Sequence, residues 1–196
     1  MKRLLVASVI ALVLVGGLGI YALRVLGDAA QRAGDLDKAL DAASKALLET
    51  NDLFPYAAAP RLDPVRFPTW LEVRGEMARD VAAHVAEPSS GDFHTRETVN
   101  ELLHRMRGEL VARKMSLAEY RATARRWRAL LALPEFEELR AAWRKRTATR
   151  KFPGGLALPP AATDADAKEL EQLRRYARVL EDTMDADLLD PLLDGI

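Results

Sequence analysis

The sequence predicts an all-α chain: one N-terminal transmembrane helix, then an extracytoplasmic bundle of about five or six amphipathic helices. Three observations carry this. A run of twenty residues without a charge, Leu4 to Leu23, lies near the start of the chain. Beyond it, apolar residues recur at steps of three and four in segment after segment, the spacing of a buried helix face. Almost no stretch alternates with period two, the mark of a strand.

The run Leu4–Leu23 spans about 30 Å at about 1.5 Å per residue, the thickness of a bilayer's hydrocarbon core. Lys2 and Arg3 precede it, which by the positive-inside rule keeps the tip cytoplasmic and sends the rest across, and Tyr21 falls where an interfacial aromatic belongs. Cleavable signal peptides have apolar cores of about 7 to 15 residues, and the only passable cleavage site here is Val25-Leu26-Gly27. An uncleaved anchor over residues 1–26 is the expectation, with the remainder in the periplasm of a bacterium.

Ala33, Leu36, Leu40, Ala43 and Leu47 then mark an amphipathic helix from about Asp28 to Glu49, giving a stalk over 27–50 and a helical domain over 51–196. Asn51 to Pro68 holds four prolines and reads as a loop. Thr69 can cap a helix with Trp70, Val73, Met77, Val81 and His84 inward, and Thr95 opens the next, with Val99, Leu102, Leu103, Met106 and Leu110 on one side. Ser116-Leu-Ala-Glu119 has the pattern of a capping box, in which hydroxyl and carboxylate satisfy two free N–H groups reciprocally. Leu117, Tyr120, Ala124, Trp127 and Leu131 follow on one face. Pro134 suits the first position of a helix carrying Phe136, Leu139 and Trp143. After the break at Phe152–Thr163, Thr163 can cap a last helix with Leu170, Leu173, Leu180, Met184 and Leu188 inward.

Composition narrows the function. Charged residues are 30% and hydrophobic ones 49% of the 196, so the chain is neither disordered nor wholly embedded in a membrane. Zero net charge argues against general nucleic-acid binding. Without a cysteine there are no disulfides, thiolate nucleophiles, iron–sulfur clusters or lipoprotein acylation. No catalytic motif and no cofactor motif emerges. Glu101 and His104 have the Glu-x-x-His spacing of di-iron bundles, but such a site needs two of these pairs and two further glutamates, and only one pair is present, so no metal is expected. Ser116 is taken as a cap, and Gly154-Gly155 lacks a phosphate-cradling pattern.

Charge distribution is the uneven feature. Arg121 to Lys151 holds ten basic and three acidic residues, a net of +7, whereas the last sixteen residues hold six acidic and no basic ones. Arg121, Arg125 and Arg128 lie beside the Tyr120–Trp127 stripe, and Arg140 and Arg144 beside the Leu139–Trp143 stripe. Either these arginines edge the core and meet the acidic tail of their own chain, or they contact an anionic partner. The functional expectation is a non-enzymatic adaptor, scaffold or chaperone-like domain that binds another envelope protein. The alternatives are binding of anionic lipid headgroups or an envelope polymer through the Arg121–Lys151 face, and an enzyme with an unrecognised site.

Overall fold

The computed structural model describes residues 31, 33–57, 61–86, 96–148, 158–189 and 193, and among these no strand occurs. The chain divides into two compact units, Met1–Asp41 and Ala42–Ile196. In the first, the described residues are helical and largely exposed, and Lys38 approaches Asp35 at 3.9 Å. The run Leu4–Leu23 lies outside the described residues, among which no helix is long and apolar enough to cross a membrane.

The second unit begins with the end of a helix, α1 (42–48), followed by α2 (Thr50–Leu53), α3 (Arg66–Ala86), α4 (Arg96–Ala112) and α5 (Leu117–Leu131). A 3-10 turn, Pro134–Phe136, leads into α6 (Glu137–Ala148). Then come α7 (Ala167–Asp182) and a second 3-10 segment, Met184–Leu189. Periodicity gives about five or six helices; among the described residues there are seven, α2 being the one with too few residues to show a period.

The core is the one the apolar stripes mark out. Trp70, Val73, Met77 and Val81 of α3 are buried, as are Leu102, Leu103, Met106 and Leu110 of α4. Leu117, Tyr120, Ala124, Trp127 and Leu131 of α5 are buried, with Phe136, Leu139, Trp143, Leu173 and Leu180. Ala43 and Leu47, expected on the stalk, are buried within the second unit. The central element is α3, packed against α4, α5, α7 and the terminal 3-10 segment. Phe67 stacks on Trp70 with centroids 5.4 Å apart and meets Tyr176 of α7 edge-on at 5.8 Å.

Helix starts differ from the sequence reading at α3 and α7, and at α5 the expected capping box closes only in part, each because a side chain finds a better partner. α3 begins at Arg66, not after Thr69: Asp63 Oδ1 accepts from the N–H groups of Val65 and Arg66 at 2.8 and 3.3 Å. Pro68, lacking an N–H, falls in the first turn, where no intrahelical bond is lost. α7 is capped by Asp166 instead of Thr163, in a full capping box with Glu169. The Ser116–Glu119 box closes by half: Ser116 Oγ accepts from Glu119 N at 3.0 Å, but the Glu119 carboxylate is bound to Arg66. The remaining free donors of α5 are met from α2, where Thr50 Oγ1 accepts from Leu117 N at 3.0 Å and Asn51 Oδ1 from Ala118 N at 2.8 Å. That single turn works as a cap for a helix far along the chain. Finally, α7 stops at Asp182, so Met184 and Leu188 belong to the 3-10 segment and not to the helix.

α4 ends in a Schellman turn. Met115 N donates to Leu110 O at 2.9 Å and Lys114 N to Val111 O at 3.1 Å, which sets Lys114 at φ 50°. Leu110 and Met115, the apolar pair of the motif, are both fully buried. A side chain at positive φ is disfavoured by about 1 kcal/mol, and glycine is not. Lys114→Gly should therefore stabilise the domain by about 1 kcal/mol, read as a higher urea midpoint at unchanged slope. A lower midpoint would show that the Lys114 side chain contributes more than the backbone loses.

Candidate functional site

The densest polar cluster lies inside the bundle. Arg74 sits one turn beyond Trp70 on the buried stripe of α3, and its side chain and that of Asp187 are both 0% exposed. The guanidinium binds the carboxylate in a fork, Nη1 to Oδ1 at 2.6 Å and Nη2 to Oδ2 at 2.8 Å, while Nε donates to Thr183 Oγ1 at 3.0 Å. Trp143 Nε1 donates to Asp187 Oδ2 at 2.7 Å. The guanidinium carbon lies 5.2 Å from the Trp70 ring centroid and 4.9 Å from that of Trp127, so the cation also meets two aromatic rings. One ion pair thus joins α3, α5, α6 and the C-terminal segment. Buried charge is tolerated only when paired and hydrogen-bonded on all sides, and these contacts supply that.

Removing one member of such a pair leaves an uncompensated charge and costs about 3 to 5 kcal/mol, whereas replacing both with apolar groups is often near neutral. Asp187→Ala should lose about that amount in urea unfolding, and the double variant Arg74→Met/Asp187→Leu should recover most of it. Equal losses in the single and double variants would show that the charges are not coupled.

Two clamps nearer the surface follow the same logic. Arg66 of α3 binds Glu119 of α5 in a fork at 2.6 and 2.8 Å and donates to Lys114 O at 2.9 Å; the Glu119 hydrogen bond raises the Arg66 pKa. Glu169, 2% exposed, accepts from Arg126 Nε at 2.9 Å and Nη2 at 2.6 Å and from Leu62 N at 2.8 Å, tying α5 and the 61–62 loop to α7. This hydrogen bond is the main cause of the raised Arg126 pKa. Asp164 is held below its ordinary value by hydrogen bonding to Arg126, and Asp166 by the backbone N–H of Glu169 and then by Arg61. A depressed carboxylate stabilises the fold above its unfolded value, near 3.8, and that contribution disappears as pH falls through the lower folded value. Acidification below 3.8 should lower the melting temperature, and Asp164→Asn/Asp166→Asn, which keeps an acceptor at the cap, should make that fall shallower. An unchanged acid limb would assign the titration to other carboxylates.

The five arginines of the basic face are placed differently from one another. Arg121, half-buried, and Arg125, exposed, are one turn apart on α5 and share a groove of about 310 Å³ with Asn51, Leu117, Ala118 and Ala122. Arg128 is 9% exposed, with Nε near Ala124 O at 3.3 Å. Arg140 turns back on its own chain, donating to Ala132 O at 2.7 Å and pairing with Glu137. Arg144 is exposed on α6. Arg126, in the same segment, pairs with Asp164 and Glu169 at the start of α7. Of the acidic tail, Glu181 and Asp182 are exposed, while Met184–Leu189 is buried throughout and its Asp187 charge goes to Arg74 of α3.

His104 is exposed, and Glu101 binds Arg105 at 2.6 Å; the side chain of His84, and His94, lie outside the described residues. Among the described residues no group of three or more His, Asp or Glu converges as metal ligands would. No family model, curated protein or solved structure matches this chain.

Sequence reasoning passed over Arg74, Thr183, Asp187 and Glu169. Arg74 carried a signal: it stands at the helical spacing Trp70, Arg74, Met77, Val81, a guanidinium in a stripe of large apolar residues. Asp187 had none, because its partner lies 113 residues away.

Proposed function

We propose that this chain is a bitopic inner-membrane protein, tethered through Leu4–Leu23, whose helical domain stands in the periplasm and acts without catalysis, as a docking module for another component of the cell envelope. The observation that supports this is how the domain spends its polar groups. Arg74, Asp187, Glu119 and Glu169 are buried and committed to holding helices in one arrangement, and the Arg121–Arg125 groove is chemistry displayed on that frame. The groove combines two guanidinium groups with a lining of small apolar residues, Ala118 and Ala122, and so suits an acidic protein surface with some apolar contact. A tether confines the encounter to the membrane surface and raises the effective concentration of a membrane partner, so a modest contact suffices.

The same pair favours a second reading, binding of anionic headgroups or a phosphate-bearing envelope polymer, because arginine forks onto phosphate as readily as onto carboxylate. Salt separates the two: phosphate contact alone weakens steeply with ionic strength, while a protein interface with an apolar part does not.

The test has two arms. A reporter active only outside the cytoplasm, fused after Ile196, should be active; activity of a cytoplasm-only reporter would overturn the topology. Arg121→Glu/Arg125→Glu should abolish recovery of the species cross-linked to the wild-type chain in intact cells. The variant should keep its helical far-UV signal and cooperative melting, which separates loss of contact from loss of fold. Unchanged recovery would remove this face from the docking reading. Recovery of anionic lipid or polymer in place of a protein, lost at high salt, would establish the second reading.

A further inference from the structure

A wide open groove of about 830 Å³ separates the Pro134–Phe136 turn and the start of α6 from the second half of α7, and its two walls carry opposite charge. On the first wall stand Glu135 and Glu138, both exposed. On the second stand Arg174 and Arg178, one turn apart on α7 and exposed, with Glu181 at the end of the same helix. Between them lie the edges of Phe136 and Leu139 with the small side chains of Ala142 and Ala177. Among the described residues none of Glu135, Glu138, Arg174 and Arg178 has an ion pair or a hydrogen bond from its side chain. That sets Arg174 and Arg178 apart from Arg61, Arg66, Arg74, Arg105, Arg113, Arg126 and Arg140, each of which is paired.

An unpaired surface charge alone says little, since water solvates it well. Here Arg174 and Arg178 line one groove with Glu135 and Glu138, beside Glu137 and Glu181, and these two arginines and two glutamates do not pair across it. A free anion entering would meet Glu135, Glu138 and Glu181; a free cation would meet the arginines. An occupant has to bring both signs in matching positions. A second copy of this chain does so when the two-fold axis runs along the groove, which sets the basic wall of each copy against the acidic wall of the other. The small side chains of Ala142 and Ala177 permit close approach at the axis.

We infer that this groove is a self-association surface, on which two copies dock about a two-fold axis with Arg174 and Arg178 of each facing Glu135 and Glu138 of the other. Exposed ion pairs are individually weak, so the contact is reversible and sensitive to salt.

The experiment uses the full chain in detergent, co-expressed with two different tags, and reads recovery of one tagged copy with the other. Wild-type copies should co-purify, and about 1 M salt, where the Debye length is about 3 Å, should reduce the yield. Arg174→Glu/Arg178→Glu should lower recovery at least about tenfold, and Glu135→Arg/Glu138→Arg likewise, since each sets like charges face to face across both halves of the contact. Co-expressing the two reversed variants should restore recovery, because every wall then meets its opposite. That rescue also shows that the reversed chains are folded. Either reversed variant associating with itself as well as wild type does would place self-association elsewhere, as in the Leu4–Leu23 segment, and overturn the inference. So would failure of the mixed pair to recover, or a wild-type chain that never co-purifies with itself, the result for a groove that receives a helix of another protein.

Discussion

The buried Arg74–Asp187 pair is the constraint around which the second unit is arranged. Each charge would be prohibitively unfavourable alone in that interior, so Arg74 requires a carboxylate at one position and orientation, and the chain has to deliver it from the far end. Delivery explains the shape of the C-terminus. α7 stops at Asp182, Thr183 turns the chain while its hydroxyl takes the Arg74 Nε, and Met184–Leu189 runs inward as a tight 3-10 segment. A continued α-helix would space its residues differently and would not present Met184, Ala186, Leu188 and Leu189 to the core together with Asp187. Trp143 then reads the same carboxylate from α6, so the pair sets the seating of α6 as well as that of the tail. An apolar pair could fill the same volume with comparable stability. What the ion pair adds is selection of one seating, because any slip of the C-terminal segment leaves two charges unmet.

The outer clamps extend this principle from single residues to helix ends. Every helix start exposes backbone N–H groups that need acceptors, and in this domain several acceptors come from remote parts of the chain. Thr50 and Asn51 serve α5 from α2, which frees Glu119 from its local box to bind Arg66. Glu169 serves α7 as a local cap while binding Arg126 of α5 and the backbone of Leu62. Local and long-range structure therefore share the same carboxylates, and disturbing one loosens both a helix end and a helix pair.

This sharing accounts for what could be read from the sequence and what could not. Apolar stripes depend only on local spacing, and those on α3, α4 and α5 bury nearly as periodicity places them. Caps were legible in kind but not in position. Thr69 and Thr163 are reasonable caps by local rules, yet Asp63 and Asp166 take the role because each lies where a turn or an arginine from elsewhere meets it, Arg61 in the case of Asp166. The arginine-rich segment was legible as composition, but its division into Arg128 and Arg140 folded onto backbone, Arg126 clamped, and Arg121 with Arg125 on a groove is a tertiary fact. The acidic tail shows the limit most plainly. Counted as charge, it resembles solvated surface; the alternating Met184, Ala186 and Leu188 are what draw the Met184–Leu189 part inside.

Beside its exposed ion pairs, such as Arg61–Asp166 and Arg105–Asp80, this domain holds two sets of charges with different physics. Inside, guanidinium and carboxylate meet at hydrogen-bonding distance with little water, so each pair is geometrically specific and expensive to rearrange. Outside, Arg121, Arg125, Arg174 and Arg178 and the carboxylates of Glu135 and Glu138 stand on helices that the inner pairs hold fixed. On a rigid helix only the side chain itself has to be ordered when a partner arrives, so less of the contact energy goes into ordering. That is the physical case for the docking role we propose: the inner pairs contribute selection of one fold, and the fold in turn presents surface charge at fixed spacings that a partner of opposite pattern can match.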